Sequence, residues 1–193
     1  INPLATLICK AKFTKLDINK VKNAQAQLQK KVYASLKNNN YYQSLSIPEI
    51  TNIDYWFSPF VLNKLALIKK CIDEIQDDKI KQLFLVPFSE SVRECSYTRN
   101  NEFKLYRIKS EDIRYFNPDV FNIFFVKLIE VIHIYQQNYL PLIHDAKISI
   151  QNNAFVTEQE FYDVVLTSPP YGDSKTTVAY GQFSCFSNEW LGF

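Results

Sequence analysis

Apolar residues recur at helical spacing along the first forty positions of the chain. Pro3 stands where a helix over residues 3–13 begins, and proline is tolerated in the first turn of a helix. Asp17 is placed to cap a second helix, which the polar run 37–40 ends. The apolar positions of this second helix, spaced three and four residues apart, are Val21, Ala24, Leu28, Val32 and Leu36. The pattern therefore predicts two amphipathic helices before residue 41.

Helical spacing continues through the middle of the chain and is interrupted by prolines. Residues 59–76 and 79–96 have helical periodicity, and Pro87 is expected to kink or end the second of these helices. Pro118 is expected to begin a longer helix that runs roughly to Gln137. We interpret His133, on that helix, as a structural residue and not a catalytic one.

Two later segments, 140–146 and 161–167, have the length and composition of buried strands. The second leads directly into the sequence Ser168, Pro169, Pro170, Tyr171 and then Gly172. Proline fixes φ and has no N–H, and a residue that precedes proline is kept extended, so this turn is predicted to be stiff. In open α/β sheets, ligands bind beyond the carboxyl ends of strands, which makes the turn a candidate site. A Pro-Pro pair alone is also typical of a polyproline ligand or a rigid loop.

Composition limits the classes of protein that remain. With 193 residues, of which 47% are hydrophobic, the chain is long and apolar enough for one domain with a sizeable core. Four widely spaced cysteines favour reduced thiols in a cytoplasmic protein, and two histidines provide little material for a metal site. We find no signal peptide and no apolar run of membrane-spanning length, so no membrane partner is predicted.

The net charge of +2 and the pI of about 8.3 are too mild to establish nucleic-acid binding. The most basic part of the middle region is the stretch from Arg93 to Arg114, in which basic and aromatic residues alternate. Such a mixture can follow a phosphate backbone and stack on bases. A solvated loop whose acids balance the charge explains the same sequence equally well.

The motif at 168–171 resembles motif IV of the amino-methylating DNA methyltransferases. Further segments are similar to other parts of that family. Asn2 and Pro3 resemble the segment after motif II, and His144-Asp145-Ala146 resembles motif III, while 183–191 resembles the loop and helix after motif IV. The resemblance implies an α/β fold, a partial Rossmann-like class I methyltransferase sheet with a largely helical insertion. That insertion, residues 41–115, is expected to face DNA.

The resemblance also implies chemistry for the motif residues. The hydroxyl of Ser168 and the carbonyl of Pro169 would accept hydrogen bonds from an exocyclic amine of a flipped base, and Tyr171 would stack on that base. The implied catalytic set is Ser168, Pro169, Pro170 and Tyr171. The implied cofactor is S-adenosyl-L-methionine, with Asn2, Pro3 and Asp145 as cofactor-binding residues. The implied partners are double-stranded DNA and a cognate restriction endonuclease in a prokaryotic cytoplasm.

One departure from the family pattern is the absence of motif I, the glycine-rich loop that holds the cofactor. The chain has three glycines, Gly172, Gly181 and Gly192, and none of them precedes motif IV. We therefore expect residues 1–193 to be an incomplete methyltransferase catalytic domain that is inactive by itself.

The sequence leaves several functional alternatives open. Serine at the first motif position favours N4 of cytosine as the methyl acceptor, and N6 of adenine is the alternative. RNA or protein glutamine is a second substrate class, although relatives of that kind usually have Asn-Pro-Pro-Tyr. The third alternative is a catalytically inactive remnant.

Overall fold

The computed structural model describes residues 2–38, 41–99, 104–143, 163–164 and 180–193. Within these ranges, 71% of the residues are helical. The α-helices are α1 (Pro3–Phe13), α2 (Ile18–Leu36), α3 (Ile53–Trp56), α4 (Pro59–Asp73), α5 (Asp78–Glu94), α6 (Ser110–Ile113), α7 (Val120–Ile134) and α8 (Tyr180–Leu191). Short 3₁₀ turns lie at Tyr41–Ser44 and Leu140–Leu142, and a π-helical turn at Tyr135–Tyr139 extends α7.

Helix α5 is the centre of the described bundle. It packs against α1, α4, α7 and α8, while α2 packs against α4 and α7. The apolar faces of these helices meet in one continuous core. Its most completely buried large side chains include Phe57, Phe84, Phe88, Phe124, Leu65, Ile68, Ile72 and Leu128.

Capping side chains fix where the predicted helices begin. The carboxylate of Asp17 accepts hydrogen bonds from the N–H groups of Asn19 and Lys20, at 2.8 and 3.4 Å, so the predicted cap of α2 is confirmed. Helix α7 begins at Val120, two residues after Pro118, because Asp119 caps it through the N–H of Asn122 at 3.2 Å.

Pro87 lies inside α5 and does not end it. Proline cannot donate the backbone hydrogen bond that an interior helical residue normally makes. The ring is buried where α5 packs against its neighbours, and the Ser91 hydroxyl donates to the Pro87 carbonyl at 2.8 Å. Tertiary packing on a central helix therefore outweighs the local cost of the proline.

Tyr135 joins the turn after α7 to the connection between α1 and α2. Its buried hydroxyl donates to the Thr14 carbonyl at 2.7 Å and accepts from the Leu16 N–H at 2.9 Å. Both bonds satisfy backbone groups between α1 and α2, so one side chain fixes the geometry of that connection.

The α/β, partial Rossmann-like class I methyltransferase fold predicted from the sequence is contradicted by the structure. The described residues contain no strand and no sheet, and only an isolated antiparallel bridge joins Thr98 to Arg107. The first predicted strand starts instead with the 3₁₀ turn Leu140–Leu142, because this apolar run continues α7. A short apolar run cannot be separated from buried helix by periodicity alone. The rest of that strand lies outside the described residues, as does 161–167 apart from 163–164, which are irregular.

In the ranges that the structure describes, no helix combines the length and the apolar composition needed to cross a bilayer.

Candidate functional site

The structure describes only some of the site residues that the sequence predicts. Ser168, Pro169, Pro170, Tyr171 and Asp145 lie outside the described residues. Asn2 and Pro3 are described, at the start of α1.

Asn2 begins α1 as its capping residue. Its Oδ1 accepts a hydrogen bond from the Leu4 N–H at 3.0 Å, and its carbonyl accepts from the Thr6 N–H at 3.1 Å. Pro3 occupies the first turn, where a missing N–H costs nothing. Asn-Pro is therefore a strong helix-start signal, quite apart from any cofactor role.

The other side-chain group of Asn2 reaches the far end of the chain. Its Nδ2 donates to Ser184 Oγ at 2.8 Å, and Ser184, on α8, is only 1% exposed. Asn188 Nδ2, one turn further along α8, lies 3.5 Å from the same oxygen. Sequence reasoning did not single out Ser184 or Asn188. The available signal was their four-residue spacing, which places both on one face of a helix.

Helix α8 is held against α5 by two further polar contacts. Ser187 Oγ donates to the Ser89 carbonyl at 2.7 Å. Arg93 Nη1 donates to the Phe183 carbonyl at 3.1 Å, and its guanidinium lies 3.8 Å from the centroid of the Phe183 ring. These two contacts and the Asn2–Ser184 bond fix α8, which resembles the region after motif IV, beside the start of α1, which resembles the region after motif II.

An open cleft of about 390 Å³ lies beside Pro3. Its lining comes from α1, α5 and the residue Phe193: Pro3, Thr6, Leu7, Lys10, Gln82, Leu85 and Phe193. Apolar walls with a few polar groups are typical of small-molecule sites. This cleft is where a ligand in contact with Pro3 would lie.

The buried cysteines Cys71 and Cys95 are poor nucleophiles. Burial raises the pKa of the Cys71 thiol and raises that of Cys95 to about 12. A thiol in this state is protonated near neutral pH, whereas nucleophilic and metal-binding cysteines are thiolates. Among the residues that the structure describes, no three His, Cys, Asp or Glu side chains are grouped to hold a metal ion.

Backbone hydrogen bonds pair residues 97–99 of the basic stretch with residues 106–108. The Arg99 N–H donates to the Tyr106 carbonyl at 2.8 Å, and the Ile108 N–H donates to the Tyr97 carbonyl at 2.8 Å. Arg107 lies between two rings, 4.0 Å from the centroid of Tyr55 and 5.3 Å from that of Tyr97. We call residues 97–115 the basic segment.

The members of this stretch have different environments. Arg93 is 7% exposed and belongs to the α5–α8 contact, so its inclusion in a basic surface was wrong. Lys104 and Arg114 are exposed, and Tyr115 is 74% exposed. Lys109 forms an ion pair with Glu111 at 3.6 Å. The basic segment thus exposes cations and an aromatic ring to solvent. A surface that follows a phosphate backbone and a solvated loop would both expose these side chains.

Comparison with known proteins identifies one similar sequence. No family model matches the chain, and no solved structure matches it. The chain is 40% identical over 205 residues to a protein of Kocuria varians named Type II methyltransferase M.MvaI. The aligned region covers 99% of this chain and 44% of the relative, so the chain spans less than half the length of that protein. Along almost all of its length, the chain is therefore similar to a Type II methyltransferase.

Proposed function

We propose that this chain belongs to a site-specific DNA methyltransferase of a restriction–modification system. The observation that carries the proposal is the 40% identity to a Type II methyltransferase over 99% of the chain. The motif at 168–171, which resembles motif IV of the amino-methylating enzymes, points to the same class. The substrate of the proposed enzyme is double-stranded DNA, and a cognate restriction endonuclease is the proposed partner.

The proposed reaction is methylation of the exocyclic N4 of a flipped cytosine. Serine at position 168 favours cytosine, and N6 of adenine is the alternative acceptor. The lone pair of an aromatic amine is delocalised into the ring, so the amine must be polarised before it can attack a methyl group. The Ser168 hydroxyl and the Pro169 carbonyl accept hydrogen bonds from its two N–H groups and stabilise the positive charge that develops. Pro170 stiffens the turn, and Tyr171 stacks on the extruded base.

S-adenosyl-L-methionine is the proposed methyl donor and supplies the methyl group when bound. Both polar groups of the Asn2 side chain already have partners, the Leu4 N–H and Ser184 Oγ. We therefore assign Asn2 a positioning role, in which it fixes the start of α1, and Pro3 the contact with a ligand in the adjacent cleft. Asp145 is proposed as the acid near the cofactor's adenine. The sequence has no glycine-rich loop before Ser168, so these 193 residues alone should transfer no methyl group.

The test uses the full-length product of the gene that encodes these residues. It is incubated with S-adenosyl-L-methionine and mixed-sequence duplex DNA, the DNA is digested to nucleosides, and methylated bases are identified by mass spectrometry. We expect N4-methylcytosine with the wild-type protein and a loss of at least about 100-fold with Ser168→Ala, the range seen when one transition-state hydrogen bond is removed.

A matched control is Ser174→Ala, which removes a hydroxyl just beyond the motif and should leave methylation unchanged. If N6-methyladenine is found instead and is lost in Ser168→Ala, the methyl acceptor is adenine and the proposed mechanism is unchanged. Unmethylated DNA from a folded protein that binds the cofactor would refute the proposal and leave RNA, protein glutamine or an inactive remnant.

A further inference from the structure

The formal charge of the chain is concentrated in its first two helices. Residues 1–38 contain eight lysines and a single acid, Asp17, which gives this segment a charge of +7. The whole chain has a charge of +2, so the remaining residues sum to −5. Asp17 is itself used to cap α2. The mild net charge thus conceals a strongly cationic segment.

Helix α2, together with its C-terminal capping residue Lys37, presents an outward stripe of mostly polar and basic residues. The stripe follows three- and four-residue spacing and consists of Asn19, Asn23, Ala26, Lys30, Tyr33 and Lys37, all of them exposed. Lys22 is also exposed, next to Asn23. The opposite side of the helix supplies Val21, Leu28 and Val32 to the core. Helix α2 has no acidic residue between Ile18 and Leu36.

Several lysines elsewhere in the described chain are paired with acids. Lys69 pairs with Asp73 at 2.7 Å, Lys81 with Asp78 at 3.2 Å, and Lys127 bridges Glu90 and Glu94. On α2, Lys31 pairs with Glu74 at the edge toward α4. Among the described residues, no acid pairs with Lys22, Lys30 or Lys37. A row of like charges without counter-charges costs repulsion, and an anionic partner would relieve that cost.

Tyr33 lies between Lys30 and Lys37 and shows what kind of contact the stripe can make. Its ring is stacked on Phe125, with centroids 5.9 Å apart and planes at 24°, while the residue is 46% exposed. One face of the ring is therefore already used. Its hydroxyl remains suited to a hydrogen bond with an anionic oxygen.

We propose that this face of α2, formed by Lys22, Lys30 and Lys37 with Asn19 and Asn23, binds the phosphate backbone of duplex DNA. Lysine is a point charge on a flexible stem, so it can contact phosphate oxygens without the fixed geometry that bidentate recognition by arginine requires. Amide side chains also donate to phosphate oxygens. The contact is therefore independent of DNA sequence and adds affinity and orientation, leaving recognition to other parts of the protein.

The dimensions of α2 suit such a contact. A helix of 19 residues is about 28 Å long at 1.5 Å per residue. Phosphates along one strand follow one another about every 3.4 Å of helix axis. Lys22, Lys30 and Lys37 follow one another at roughly 12 and 10 Å along the helix at 1.5 Å per residue. They can therefore reach separate phosphates of one strand, about three positions apart. This inference rests on the proposed function only for the choice of DNA as the polyanion.

The test measures binding of the full-length product of the gene that encodes these residues to a labelled mixed-sequence duplex of about 30 base pairs by fluorescence anisotropy, between about 50 and 200 mM salt. The test variant combines Lys22→Gln, Lys30→Gln and Lys37→Gln. The control variant combines Lys69→Gln, Lys79→Gln and Lys81→Gln, which removes the same formal charge from α4 and α5. Circular dichroism confirms that both variants are folded.

Each phosphate contact contributes about 0.9 to the slope of log affinity against log salt. We expect the test variant to lose about 2–3 units of slope and the control variant to keep the wild-type slope. Equal slopes for the wild type and the test variant, or a wild-type chain that does not bind the duplex at low salt, would overturn the inference. Lysine-dependent binding to phosphatidylserine vesicles without binding to the duplex would also overturn it.

The two proposals fail separately. Binding requires neither S-adenosyl-L-methionine nor Ser168, so Ser168→Ala should bind the duplex as the wild type does. Lysine-dependent binding by a full-length protein that methylates no DNA refutes the methyltransferase proposal alone. Methylation by a protein whose duplex binding is unaffected by the three lysines refutes the backbone contact alone.

Discussion

Asn2 and Ser184 are joined by a hydrogen bond of 2.8 Å although 182 residues separate them in the sequence. The bond connects the capping residue of α1 to a buried hydroxyl of α8. The segment that resembles the region after motif II and the segment that resembles the region after motif IV are therefore parts of one packed unit. The bond therefore holds the start of α1 at a fixed position relative to α8.

The energetic coupling of this pair can be measured by a double-mutant cycle. Asn2→Ala removes a helix cap and the bond to Ser184, so we expect a loss of about 2 kcal/mol in the free energy of unfolding. Ser184→Ala should cost about 1 kcal/mol, and the double variant should cost less than the sum by about 0.5–1.5 kcal/mol. Urea denaturation measures all three. If the losses in unfolding free energy of the two single variants add up to that of the double variant, the bond contributes nothing to stability.

Arg93 is expected to be a structural arginine that lysine cannot replace. It is 7% exposed, its guanidinium covers the Phe183 ring, and it donates to the Phe183 carbonyl. Burial also lowers its pKa. Arg93→Lys loses the planar contact and leaves a buried ammonium, so we expect a loss of about 2 kcal/mol in the free energy of unfolding. The exposed Lys79→Ala should change that free energy by less than about 0.5 kcal/mol. Wild-type stability of Arg93→Lys in urea denaturation would contradict this role.

The helices were predictable where local signals agree. Asp17 as a cap and the apolar spacing from Val21 to Leu36 both favour one helix, and the structure confirms it. The prediction failed at 140–142, where a short apolar run after α7 has no periodicity of its own and the chain continues in helical turns. Helix periodicity persists over many residues, whereas an apolar run of three to seven is ambiguous.

The site was less predictable than the helices because its contacts are long-range. Nothing local in the sequence pairs Asn2 with Ser184, or Arg93 with Phe183. Arg93 looked like part of a basic surface because five further basic residues follow it, yet its position on the buried side of α5 decides its role. The catalytic residues predicted at 168–171 lie outside the described residues and stay predictions.

The basic segment gives a separate prediction for DNA binding. Lys104 and Arg114 are exposed on it, and the sequence places it within the insertion, residues 41–115, that we propose to face DNA. Lys104→Gln combined with Arg114→Gln should reduce the slope of log affinity against log salt by about 2, without loss of stability. Lys79→Gln combined with Lys81→Gln is the control of equal charge. An unchanged slope would identify the segment as a solvated loop.

Cys95 should make the protein less stable at alkaline pH. Burial is the main reason that its pKa is about 12 in the folded chain, against 9.0 for an ordinary thiol, and the residue is 0% exposed. Above pH 9 the unfolded chain releases this proton while the folded chain keeps it, so the unfolded state binds fewer protons and stability falls as pH rises. The loss is complete near pH 12 and amounts to at most about 4 kcal/mol for three pKa units. Urea denaturation of the wild type and of Cys95→Ala between pH 8 and pH 11 isolates this contribution, because other titrating groups are common to both proteins. The difference in unfolding free energy between the two should shrink steadily with pH, and a constant difference would show that the thiol ionises equally in both states.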